Sequence, residues 1–93
     1  MSVQQSDAVV AKFRDEITAL DVRLLSTINE RIKKVEALRR HKVAQGLSFV
    51  DPDREAALVA YLKRVNRGPI SDDGLEELLA FVLDLVKREL ANE

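Results

Sequence analysis

The chain of 93 residues contains no cysteine and a single histidine, His41. Without thiols it can build neither a disulfide framework nor a thiolate metal site, and one histidine excludes a His-rich metal centre. No metal or cofactor is therefore expected. No apolar run approaches the roughly 20 residues of a membrane span. The opening MSVQQSDAVV lacks the basic-then-apolar order of a secretory signal. A cytoplasmic protein with no membrane contact is expected. An excess of charge of one sign is also missing: 15 basic against 16 acidic residues leave a formal net charge of -1. The whole-molecule field favours neither nucleic acid nor membrane, so any attraction for an anion must be local.

Strand signals, internal repeats and low-complexity segments are absent as well, and from Asp7 to Gln45 there is neither proline nor glycine. What is present is helical periodicity. Val10, Phe13, Ile17, Leu20 and Leu24 step by three and four, then drift through Ile28, Ile32, Val35 and Leu38. The pattern predicts a first helix over about 7–45, capped by Ser6 or Asp7 and ended by Gly46. Asp51-Pro52 opens a second helix, about 52–66, which Asn66-Arg67-Gly68-Pro69 stops. Ser71 caps a third, about 72–91, with Asp72 and Asp73 at the positive end of its dipole. The expected fold is all-α, one domain of three helices in the order long, short, medium.

A chain this short buries only a modest core. The first helix would be roughly 55–60 Å long at ~1.5 Å per residue, about twice the diameter of a compact domain of this size. It must pack against more than its two short neighbours. A second copy is the simplest partner, so an intertwined helical homodimer is expected.

The stripe of the first helix carries charges where packing would favour leucine. Arg31 falls in it, and Lys42 lies eleven residues on. The two differ by only about 20° around a helix and roughly 16 Å along it. A buried cation is costly unless it meets an anion, and two long side chains leaning together could bracket a small dianion. Arg14 shares the stripe, roughly 25 Å from Arg31 along the same rod. One straight helix cannot bring all three to one small ligand, but an antiparallel pair of first helices could set Arg14 of one chain beside Arg31 and Lys42 of the other, giving two equivalent sites by symmetry. Arg54 and Glu55, in the first turn of the second helix, could add a cation and an acceptor for a ligand hydroxyl. Blander readings stand beside these. Arg31 could reach water along the apolar surface, and Arg54 and Glu55 could be ordinary first-turn residues. Lys33, Lys34, Arg39 and Arg40 read as a solvated face, and His41 as an exposed residue.

The segment FRDEITALDVRLLSTINERIKKVEALRRHK, followed by FVDPDRE, resembles the all-helical (AroQ-type) chorismate mutases. Arg14, Ile17, Asp21, Leu24-Leu25, Arg31, Lys42, Asp51, Arg54 and Glu55 fall on the family pattern in order. The resemblance covers residues 13 to about 65 and implies a domain-sharing homodimer that rearranges chorismate, a dicarboxylate enol ether, to prephenate on the way to phenylalanine and tyrosine. By position it implies that Arg14 of the other chain and Arg31 bind the carboxylates. Lys42 would bond the ether oxygen, Glu55 and the backbone of Asp51 the ring hydroxyl, and Arg54 would support the carboxylate side. Near the end of the third helix the family often places a Ser and, four residues on, a Gln or Glu that gives the ether oxygen its second donor. Counting from Phe81 puts Arg88 and Asn92 there. Some short members of the family gain activity by docking onto the first enzyme of the shikimate pathway, and such an activating partner is implied here too.

Two other functions are compatible with the residues. An isochorismate-pyruvate lyase uses the same fold and a similar cation set. A non-catalytic helical dimer could present the basic run of 31–42 to a partner or to nucleic acid, with steep salt dependence. The inward phase of Arg31 and Lys42 and the near-zero net charge argue against the latter.

Overall fold

The protein is described by a computed structural model that gives the backbone of residues 2–91 and the side chains of residues 7–91. Among the described residues there are three helices and no strand: α1 (Ser2–Ala44), α2 (Pro52–Val65) and α3 (Asp72–Ala91), of 43, 14 and 20 residues. The expected boundaries differ chiefly at the first end, where α1 is already helical at Ser2 rather than beginning near Asp7. The Ser6-Asp7 pair reads as a cap in sequence, but nothing after Ser2 interrupts helical backbone. The chain divides into two units, Met1–Lys33 and Lys34–Glu93.

In the first unit the apolar stripe of α1 is bare. Every described side chain from Asp7 to Thr27 is exposed. Phe13, Ile17, Leu20 and Leu24 each keep more than half of their surface open. This is the periodicity of a packed helix with nothing of its own unit to pack on.

In the second unit the ends of α1, α2 and α3 are each closed by a recognisable device. The last turn of α1 ends at Gly46, whose φ of 70° lies in the left-handed region open to glycine. Leu47 N–H then donates back to the Lys42 carbonyl at 2.8 Å and Gly46 N–H to the Val43 carbonyl at 3.1 Å, the paired bonds of a Schellman ending. Asp51 caps α2 by accepting the Arg54 N–H at 3.0 Å, with Pro52 in the first helical position. Ser71 caps α3 by accepting the Gly74 N–H at 3.0 Å. Between α2 and α3, the Asn66 side chain accepts from Gly68 N–H and donates to the Ile70 carbonyl at 2.8 Å, which ties the turn to itself.

Two ion pairs cross from α2 to α3, one at each end: Glu55 with Lys87, and Lys63 with Glu76. They require the two helices to run antiparallel, as the short turn between them demands. Among the described residues the buried side chains are Val86 and Leu90, 2% and 3% exposed and one turn apart on α3. The Arg39 guanidinium reaches from α1 to the Leu90 carbonyl at 3.4 Å, satisfying one of the orphan acceptors of the last turn of α3.

Candidate active site

Lys42 stands one turn before the Schellman ending, and the loop that follows is short. The chain therefore passes within nine residues from Lys42 to Asp51, the cap of α2, and then to Arg54 and Glu55 in the first turn of that helix. The side-chain oxygen of Asp51 is already engaged in capping. Arg54 is exposed and Glu55 half-buried. The Glu55 carboxylate is held by Lys87 from α3, with Nζ 2.7 Å from Oε1. That pair stands at one end of a groove of about 730 Å³ between α2 and α3, floored by Ala56, Val59, Ala60, Ala80 and Leu83. The Lys63–Glu76 pair closes the other end. The second unit thus brings Glu55 and Lys87 into contact and sets Asp51 and Arg54 in the same helical turn.

Arg14 and Arg31 lie on α1 in the first unit, Arg14 exposed and Arg31 half-buried. Arg88 is exposed and bonded through Nε to Asp84 of its own helix at 2.9 Å. Asn92 lies outside the described residues. Among the described residues of α3, Val86 and Leu90 are buried.

The half-buried cations separate into two kinds. Among the described residues these are Arg31, Arg39, Lys42 and Lys63. Arg39 is bonded to Glu36 at 3.2 Å and Lys63 to Glu76. The Arg31 guanidinium and the Lys42 ammonium have no carboxylate or other hydrogen-bond partner among the described residues. A partly desolvated cation without an anion is unfavourable, and it is the arrangement a site for an anionic ligand requires.

Arg39 corrects the reading of its segment as a solvated face. Lys33, Lys34, Arg40 and His41 are exposed, as that reading expects, but Arg39 is half-buried and linked to both Glu36 and α3. The acid that organises this cluster is Glu36, which also accepts from Arg40 Nε at 2.8 Å. Burial is the largest single influence on the Glu36 carboxyl and pushes its pKa up. The hydrogen bonds from Arg40 and Arg39 and their charges together outweigh it, so the group lies below its ordinary value of 4.5. On the far side of the groove, the hydrogen bond to Glu76 raises the pKa of Lys63, against a smaller effect of burial. Lys87 was missed by sequence reasoning because its partner is thirty-two positions away on another helix. No local spacing links the two.

Each unit thus carries one half-buried cation with an unpaired side chain, Arg31 in the first and Lys42 in the second, and no group of His, Cys, Asp or Glu among the described residues could hold a metal ion. The fold is similar to a solved structure, that of chorismate mutase (Form I) from Thermus thermophilus. The TM-score is 0.81 and the identity 27%, over 83% of this chain and 96% of that one. The sequence pattern of the family chorismate mutase type II matches residues 13–89, and the chain belongs to that family of isomerases. A comparison with curated protein sequences gives no significant match.

Proposed function

We propose that this chorismate mutase rearranges chorismate to prephenate in pockets shared between two copies of the chain. The observation that carries the reading is the pair of half-buried, unpartnered cations, Arg31 and Lys42, inside a segment that matches the family. In the shared pocket Arg31 and Arg14 of the partner subunit bind the two carboxylates of the substrate. Arginine suits that role because its planar fork grips a carboxylate bidentately. Lys42 donates to the ether oxygen, and Glu55 with the backbone of Asp51 holds the ring hydroxyl. Arg54 adds positive charge on the carboxylate side.

The chemistry asks for no more than this. A Claisen rearrangement breaks one carbon–oxygen bond and forms one carbon–carbon bond within a single molecule. It transfers no proton and makes no covalent adduct with the protein. The catalyst must hold the flexible enolpyruvyl arm over the ring and place fixed positive charge beside the oxygen on which negative charge grows. A lysine ammonium is a point charge suited to one oxygen atom.

The exposed stripe of α1 supports the second copy. Phe13, Ile17, Leu20 and Leu24 form a continuous apolar face that one chain leaves in water, and soluble monomers seldom keep such a face open. The enzyme then acts in the cytoplasm at the branch toward phenylalanine and tyrosine, and an activating partner from the same pathway would act on this dimer.

The test is complementation. Arg14→Ala and Arg31→Ala are each expected to lose most turnover. Mixed under conditions that exchange subunits, they should regain a fraction of wild-type activity, because one pocket of each mixed dimer receives both arginines. No recovery after proven exchange would reject the shared pocket.

A further inference from the structure

We infer that Lys87 is a positioning residue that fixes the Glu55 carboxylate for the substrate's ring hydroxyl. The inference rests on the proposed role of Glu55. Lys87 Nζ lies 2.7 Å from Glu55 Oε1, a charge-assisted contact between α3 and α2. An ionised carboxylate has two oxygens and several acceptor positions. Lys87 engages Oε1 and leaves Oε2 to accept from a ligand. Glutamate is a rotamer-rich side chain, and ordering it when substrate arrives costs entropy. A cation reaching from a second helix orders it beforehand.

Among the described residues Lys87 pairs with Glu55 alone. Asp84, about one turn back along α3, is bonded by Arg88 at 2.9 Å. Glu76, the other groove carboxylate, is bonded by Lys63 at the opposite end. The Lys63–Glu76 pair joins the same two helices without touching Glu55, and so provides an internal control for a purely structural effect. Holding a hydroxyl contributes about equally to the ground and transition states, so its loss is read in KM more than in kcat.

Steady-state kinetics with chorismate test the assignment on the full chain. Lys87→Ala should raise KM about tenfold, the worth of one hydrogen bond to a charged group, with a smaller change in kcat. Lys87→Arg should restore most of the loss. Lys63→Ala should lower the melting temperature and leave KM at the wild-type value. In a Glu55→Gln background, Lys87→Ala should add no further increase in KM. An unchanged KM in Lys87→Ala, or the same increase with and without Glu55, would overturn the positioning role. Failure of the wild type to convert chorismate would reject the underlying function instead, which keeps the two outcomes apart.

Discussion

Residues 1–33 and 34–93 treat the same kinds of side chain in opposite ways. In the second unit four carboxylates hold cations: Glu36 holds Arg39 and Arg40, Glu55 holds Lys87, Glu76 holds Lys63 and Asp84 holds Arg88. Two apolar residues there, Val86 and Leu90, are closed from solvent, although others such as Tyr61 and Phe81 stay exposed. In the first unit the Thr27 hydroxyl bonds locally, to the Arg23 carbonyl one turn back. A longer apolar stripe there stays open from Val10 to Leu25. The backbone of α1 is no less helical for this. Helical hydrogen bonds are satisfied within the segment, whereas most of the stability of a helix comes from covering its apolar face. The two units therefore separate what a sequence does locally from what it leaves for another surface.

The largest expected effect strikes the uncovered face. Leu20 is 57% exposed in the single chain, and in the proposed dimer it is covered. Burying a leucine is worth about 1.5–3 kcal/mol, and two-fold symmetry counts the loss twice. Leu20→Glu should therefore weaken self-association at least about a hundredfold. Sedimentation at micromolar concentration should show a monomer, and turnover should disappear with the shared pocket. Unchanged sedimentation of the variant would remove this stripe from the subunit interface and erase the contrast between the units.

The same contrast explains what the sequence could reveal. The helices were legible because their signals are local: a step of three and four, an Asp-Pro start, a Ser cap, a glycine stop. Gly46, Asp51 and Ser71 each act where the pattern placed them. The early start of α1 at Ser2 was not legible, since no breaker marks it and Ser6-Asp7 imitates a cap. Of the candidate site, the inward phase of Arg31 and Lys42 could be read from spacing alone, and both are half-buried. Arg14, Arg54 and Glu55 could be named as candidates from position, but which substrate group each would meet, and any part for Asp51, came from resemblance alone. Lys87 and the inner contact of Arg39 escaped notice for one reason: Glu55 and the Leu90 carbonyl meet them from other helices, and charge patterning along one helix does not encode that. Glu36 differs, since it pairs with Arg39 and Arg40 three and four residues on along its own helix, a local pattern that was there to be read.

A smaller effect sharpens the comparison inside the second unit, where one residue serves fold and site by different atoms. The Asp51 side chain caps α2, while its proposed part in binding belongs to the backbone. Asp51→Ala should cost about 1 kcal/mol of stability, read as a lower urea midpoint. Asp51→Asn retains a capping oxygen and should keep both the midpoint and KM near wild type. A large rise in KM with Asn at this position would move the binding role from the backbone to the carboxylate.

The smallest effects are pH limbs, and both arise in residues 34–93. The Glu36 carboxyl is held below 4.5 by Arg40 and Arg39 against the opposing effect of burial. The unfolded chain therefore takes up a proton there first as pH falls. The contribution to stability is fully present above 4.5 and is lost as pH drops through the folded value. Lys63 has the opposite sign. Its pKa is raised above 10.5 by Glu76, so its contribution is full below 10.5 and is lost as pH climbs through the folded value. Glu36→Gln should flatten the acid limb of the urea midpoint and leave the alkaline limb intact, and Lys63→Gln should do the reverse. Because salt screens exposed pairs, both limbs should shrink in high salt, whereas association through the apolar stripe of residues 1–33 should persist. An acid limb unaltered by Glu36→Gln would assign it to other carboxylates and detach the Arg39–Arg40 cluster from the stability of this unit.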